Sequence, residues 1–293
     1  MTPRRYIDCA FRLPERLNIT QETFFMEPNP LEKTGWTLTF HDEFDRPLLN
    51  DLYWFPAYRS GKGEYLRRIG KDAKWYDDNA YFVQDGSVLK LRVDRTLPIR
   101  PTPQTPCVSC ITTSDHRFGA TTAEVKVFDK FSQKYGFFEM RAKGVSGSGL
   151  MSAFWLHQVD PLDQEFTPEG ERRNVGDGVV EIDIFEQRGI NVAGAESKID
   201  YNVHFTKDAH YLDPVPCDVS RDFHIYAMEW EENRIVWYFD NRPVRTYEGP
   251  TPRKKMFVLA ALFHYESWLG PIDPACPYPV DFEIDYIRVY RRN

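Results

Sequence analysis

Three carboxylates fall within six positions of one strongly apolar run, "VVEIDIFEQRG" at 179–189: Glu181, Asp183 and Glu186, set among Val179, Val180, Ile182, Ile184 and Phe185. A helix is a poor host for this run, because β-branched side chains lose rotamer freedom there. On a strand, residues i and i+2 share a face. Glu181 and Asp183 then point one way, and Ile182 and Ile184 point the other. Glu186 has the wrong parity to join the other acids, and a single β-bulge between Ile184 and Glu186 restores it. Three carboxylates on one face raise the pKa of at least one of them, so one stays protonated while another stays ionised. That division of labour is what glycoside hydrolysis uses. A retaining mechanism wants the working carboxyls about 5–5.5 Å apart, whereas four rises of a straight strand separate α-carbons by about 13 Å. The bulge, strand curvature and long Glu side chains have to close that gap. The plainer reading is a solvated strand face. Glu283 and Asp285 in "FEIDYIRVY" share the i, i+2 spacing and are read that way, as structural acids.

The elements that must hold these acids are short. Twenty-one prolines and 17 glycines punctuate the chain. Between them lie "WTLTF" (36–40), "SVLKLRV" (87–93), "AEVKVF" (123–128), "YGFFEMRAK" (135–143), "SAFWLH" (152–157), "DYNVHF" (200–205), "FHIYAMEW" (223–230), "RIVWYFD" (234–240), "KMFVLAALF" (255–263) and "FEIDYIRVY" (282–290). Many alternate, as half-buried strands do. Such runs with turn signals between them predict an all-β antiparallel sandwich. Residues 1–30 are expected to form an irregular arm and 31–293 one catalytic domain. A chain of 293 residues with 42% apolar and 15% aromatic content supports a sizeable core. The net charge of −7 argues against a nucleic-acid partner. No apolar window is long enough for a transmembrane helix, and no intact signal peptide is expected in "MTPRRYIDCAFRLPERLNI". Of the five cysteines, Cys107 and Cys110 have CxxC spacing but sit in what reads as a Pro/Thr/Ser loop without a second CxxC. Loop thiols or a disulfide are therefore preferred to a zinc site.

"EIDIFE" resembles the bulge-type signature of glycoside hydrolase family 16. So do its surroundings: "WTLTFHDEFDRPLLNDLYW" (36–54), "VSCITTSDHRFG" and "KFSQKYGFFEMRAK" (within 108–143), "GLMSAFWLHQ" (149–158), "DFHIYAMEWEENRIVWYFDNRPVRTY" (222–247) and the closing "FEIDYIRVY". These blocks occur in the family's order from about Trp36 to Tyr290. The resemblance implies a β-jelly roll with a long substrate cleft, cleaving β-linked polysaccharides internally with retention. It implies Glu181 as nucleophile, Asp183 as the residue that tunes it, and Glu186 as general acid and then base. No cofactor is implied for catalysis. It also implies Trp155, His204 and Trp268 as substrate-binding residues. A structural Ca²⁺ is implied at Glu43, Gly86 and Asp285, where carbonyls and a carboxylate would suit a hard cation.

The sequence departs from the family's β-1,3-glucanases: it has "MSAFW" and "GDGVVEID" where those carry Trp-Pro pairs. In place of their Asn-Glu-rich stretch it reads "GEYLRRIGKDAKWYDD" (63–78), with Arg67, Arg68, Lys71 and Lys74 among Tyr65, Trp75 and Tyr76. Arg172, Arg173 and Arg188 flank the acidic strand. Guanidinium groups suit sulfate or carboxylate, so Tyr65, Arg67, Arg68, Trp75 and Arg188 are expected to bind substrate, against the alternative of a solvated basic loop. The expected substrate is an algal galactan of agar, porphyran or carrageenan type. A β-1,3- or mixed-linkage glucan is the alternative, and a noncatalytic lectin on the same sandwich is a third reading. A monomer acting outside the cell or at its surface is expected.

Overall fold

The computed structural model describes residues 26–55, 82–84, 87–93, 107–118, 125–158, 180–205, 209–264 and 266–293. They form β1 (Trp36–Asp42), β2 (Phe82–Gln84), β3 (Leu89–Val93), β4 (Cys107–Thr112), β5 (Ser114–Phe118), β6 (Val125–Asp129), β7 (Gly136–Lys143), β8 (Leu150–Gln158) and β9 (Glu181–Arg188). There follow β10 (Val192–Ala193), β11 (Glu196–His204), β12 (Ala209–Val215), β13 (His224–Glu231), β14 (Arg234–Phe239), β15 (Arg242–Glu248), β16 (Met256–His264) and β17 (Val280–Arg292). A 3-10 turn at Gly189–Asn191 and one helical turn, α1 (Glu266–Leu269), are the helical elements among the described residues.

Two antiparallel sheets carry the fold, as the alternating runs predict. One is ordered β15-β14-β13-β7-β17-β3-β2, with β1 also on β17. The other is ordered β10-β11-β9-β8-β16-β4, with β12 also on β11. The main core lies between them. Leu89, Leu91 and Val93 of β3 point into it while Lys90 and Arg92 do not. The second sheet contributes Phe154, Leu156, Ile182, Ile184, Phe185, Tyr201, Val258 and Leu262. They meet Phe138, Met140, Tyr226, Met228, Trp237 and Phe282 of the first.

The expected strands are all present among the described residues, with ends shifted by a few positions. Six further strands, β2, β4, β5, β10, β12 and β15, are not among the expected runs, and three of them are instructive. "CVSCIT" is not a loop but β4, the strand at one edge of the second sheet, paired with β16 through Cys110 and Ala261. On a strand, positions three apart lie on opposite faces, so the CxxC spacing loses the meaning it has in a metal-binding loop. β12 and β15 contain Pro214 and Pro243, and proline is tolerated in a sheet at edges and irregularities. β15 ends the first sheet, and its register with β14 shifts between Trp237 and Tyr238, where Tyr238 meets Pro243.

Residues 1–25 of the expected arm lie outside the described residues. From Met26 to Leu31 the chain lacks regular structure and lies against β7 and β17. Arg141 Nε donates to Met26 O (2.9 Å), Arg288 Nη1 to Asn29 O (2.7 Å) and the Tyr290 hydroxyl to Leu31 O (3.1 Å).

The calcium expectation falls on this side of the molecule, where both of its carboxylates are already paired with arginines. Both oxygens of Glu43 accept from Arg288, at 2.9 and 2.7 Å. Asp285 Oδ2 accepts from Arg141 Nη1 at 2.7 Å. Each carboxylate is already neutralised by a guanidinium group, and a divalent ion placed on either would meet that positive charge. Gly86, the third expected ligand, lies outside the described residues. Glu283 pairs with Lys143, so both acids of "FEIDYIRVY" are structural, as read from the sequence.

Candidate active site

β9 runs between β8 and β11, and both ladders break at the same place. Against β8, Asp183 pairs with Trp155 and Phe185 with Phe154, which leaves Ile184 as an extra residue. Against β11, Asp183 pairs with Asn202 and Glu186 with Asp200, so three residue steps on β9 match two on β11. This is the β-bulge that parity demanded. Its consequence is visible in burial: Ile182, Ile184 and Phe185 are all fully buried in the core. Phe185 stacks on Tyr226 at 4.1 Å between centroids. The chain can therefore bury two consecutive side chains and still return Glu186 to the face that carries Glu181 and Asp183.

The bulge is tied down from the opposite sheet. Trp237 on β14, fully buried, donates its indole N–H to the backbone carbonyl of Asp183 at 2.9 Å. The end of β9 is held by Gln187, also fully buried. Its Oε1 accepts from Val145 N (3.0 Å) and Ser152 Oγ (3.1 Å), and its Nε2 donates to Arg188 O (2.7 Å).

On the face turned away from the core, Glu181, Asp183 and His204 bring one carboxylate oxygen each and a ring nitrogen within 4.8 Å of one another. His204 Nε2 lies 3.3 Å from Asp183 Oδ2 and 3.9 Å from Glu181 Oε1. A protonated ring would thus bridge two carboxylates that otherwise repel. Asn202, the register partner of Asp183, donates from Nδ2 to Glu186 Oε2 at 2.8 Å. Glu186 holds its proton well above the ordinary carboxylate range. Burial is the main cause, and the charges of Asp183, Glu181 and Asp200 add to it, with Arg188 opposing. Asp200 is itself raised by burial, with Arg188 opposing, and its Oδ2 lies 3.6 Å from Arg188 Nε. One carboxyl that keeps its proton, beside two others on the same face, is the pairing that acid-assisted glycosyl transfer needs.

The expected substrate-binding residues divide. His204 stands among the acids. Trp155 faces the acids' side but is only 4% exposed, packed in a second apolar cluster with Met151, Ala153, Phe257, Leu259 and Phe263. It forms part of the wall beside Asp183 and does not offer an open ring face. Trp268, on α1, is 43% exposed and packs edge-on against Phe263 at 6.3 Å. The Arg188 guanidinium stands 5.8 Å from its ring centroid. Tyr65, Arg67, Arg68 and Trp75, with the neighbouring Lys71, Lys74, Tyr76, Arg172 and Arg173, lie outside the described residues. Asp200, Asn202, His210 and Trp237 were not singled out from the sequence. Asp200 and Asn202 had a legible signal, since they alternate with His204 along "DYNVHF" and so share its face.

The model of the glycosyl hydrolases of family 16 matches residues 70–287. An endo-1,3-1,4-β-glycanase of Rhizobium meliloti is 24% identical over 264 residues, 89% of this chain and 53% of its own length. This chain thus spans about half of that relative. A keratan-sulfate endo-1,4-β-galactosidase of Sphingobacterium multivorum is 26% identical over 301 residues, covering 95% of this chain and 61% of its own. Among solved structures, a GlcNAcα1-4Gal-releasing endo-β-galactosidase from Clostridium perfringens superposes with a TM-score of 0.70 at 26% identity, covering 92% of this chain and 65% of its own.

Proposed function

This chain belongs to the glycosyl hydrolases of family 16, and from that premise we propose that it is a retaining, endo-acting hydrolase of a β-linked polysaccharide. The observation that carries the reading is the bulge at Ile184, which sets Glu186 on the face of Glu181 and Asp183. Glu181 attacks the anomeric carbon and forms a glycosyl-enzyme. Glu186 gives its proton to the departing glycosidic oxygen, then takes a proton from the water that releases the sugar. Asp183 and His204 set the charge around the nucleophile. The family needs no cofactor for these steps. A lectin would have no use for a Glu186 that holds its proton beside two further carboxyls.

The substrate we propose is a β-galactan of agar, porphyran or carrageenan type. Two endo-β-galactosidases among the similar proteins support galactose at the cleaved bond. Arg188 beside the exposed Trp268 supports an anionic sugar: the indole takes a sugar's C–H face, and the guanidinium takes a sulfate oxygen. The second reading is a β-1,3- or mixed-linkage glucanase, favoured by the likeness to the Rhizobium enzyme. Since such polymers do not cross membranes, the proposed place of action is outside the cell or at its surface. A reducing-sugar assay on agarose, porphyran, κ-carrageenan, keratan sulfate, laminarin and lichenan tests the proposal. Release from a galactan with the β-anomer formed first, followed by NMR, supports it. Release from laminarin or lichenan alone replaces the galactan by the glucan reading. No release from any of them, with binding retained, sinks the hydrolase reading in favour of the lectin.

A further inference from the structure

Asn202 is 5% exposed and stands between two partners. Its Nδ2 donates to Glu186 Oε2 at 2.8 Å, and its Oδ1 lies 3.1 Å from Nδ1 of His210. His210 is its register partner on β12. A side-chain amide has one donor end and one acceptor end, so with His210 in its Nδ1–H tautomer the second contact decides the first. With Oδ1 accepting from His210 Nδ1–H, the NH₂ group must face Glu186. A carboxyl oxygen that accepts this N–H does not carry the acidic proton, which is left on the other oxygen. Rotating the amide by half a turn would offer Oδ1 to Glu186 instead. The carboxyl would then donate its proton to Asn202, where it cannot reach a leaving group.

We infer that His210 is a positioning residue for acid catalysis: it locks the Asn202 amide so that Glu186 accepts at Oε2 and carries its transferable proton on Oε1. The inference rests on the assignment of Glu186 as acid/base. His210 is exposed to solvent, and its ring packs against that of His204 with centroids 5.0 Å apart. The charged groups facing Glu186 are Asp183, Glu181 and Arg188 from β9 and Asp200 from β11. Those facing His210 are His204 and Asp200. The lock acts through orientation. It selects a donor, and a donor to the ionised form lowers a carboxyl's pKa.

The test is a titration of the Glu186 carboxyl by ¹³C NMR in protein labelled at glutamate Cδ, its signal identified by its loss in Glu186→Gln. In His210→Ala the midpoint should rise by about 0.5–1 pH unit, and in Asn202→Ala by at least as much. His210→Asn keeps an N–H donor without a charge and should return the midpoint toward that of the unaltered protein. A His210→Ala midpoint indistinguishable from the unaltered protein overturns the inference. So does an equal shift in His210→Ala and His210→Asn, which would mean that charge and not orientation is at work. Turnover separates this from the assignment it rests on. Glu186→Ala should slow cleavage of a phenyl β-glycoside far more than of the matching 2,4-dinitrophenyl β-glycoside, because the second leaving group needs no proton. If Glu186→Ala slows both alike, the acid/base assignment falls, while the titration still decides the lock.

Discussion

Replacing Trp237 by Phe removes one buried N–H and leaves the backbone carbonyl of Asp183 without that donor. Leaving a buried acceptor unsatisfied costs about 1–3 kcal/mol. The lost ring volume, roughly 40 Å³, adds on the order of 1 kcal/mol at about 24 cal/mol per Å³. Together these give about 2–4 kcal/mol, or a fall in Tm of about 4–12 °C for a chain of this size. The control is Trp230→Phe. Trp230 is equally buried and loses the same ring volume, but its N–H bonds Thr251 Oγ1, a hydroxyl also bonded to the carbonyls of Glu231 and Glu232. That acceptor stays engaged when the indole leaves. Calorimetry should therefore show a larger Tm loss for Trp237→Phe than for Trp230→Phe. Turnover of the preferred polysaccharide, measured well below both Tm values, should fall about tenfold or more only in Trp237→Phe, because a shift of about 1 Å at a reacting group can cost 10²-fold. Equal Tm losses with equal turnover would refute the claim that the opposite sheet holds the bulge, and through it the acids.

Glu181→Ala should abolish turnover with Tm preserved, and azide should restore it with inversion at the anomeric carbon; near-normal turnover in a clean preparation ends the nucleophile assignment. Because the folded state raises the Glu186 pKa, its contribution to stability is present below the ordinary carboxylate range and is lost as pH rises through the raised value. Glu186→Gln should accordingly increase Tm at pH 8 and change it little at pH 4; a gain only at low pH contradicts the direction of the shift. Arg188→Ala should lose more activity on a sulfated galactan than on agarose, with the gap narrowing in high salt; equal losses remove the sulfate contact. Gly189→Ala should destabilise the end of β9 toward the upper part of about 1–3 kcal/mol, because its Cβ would press into the Gly147 backbone; an unchanged Tm would show that this loop yields freely.

Most strands and their inward faces were legible from residue order. Period-two alternation depends only on which neighbours are apolar, and "LKLRV" shows it without any knowledge of partners. Parity also required a bulge between Ile184 and Glu186, since a regular strand cannot gather the three acids on one face. Residue types could not mark "CVSCIT" as a strand, or β12 and β15 with their prolines, because edge strands owe their state to the neighbour they pair with. What holds the site came only with folding. Trp237 lies 54 residues from Asp183 in the chain, and the stacking of two sheets is what brings its N–H to that carbonyl. The same holds for Glu43 and Asp285: each reads as a possible cation ligand until folding sets Arg288 and Arg141 against them. Asn202 became the partner of Glu186, and His210 that of Asn202, through strand register, a property of the assembled sheet that no local run of residues encodes.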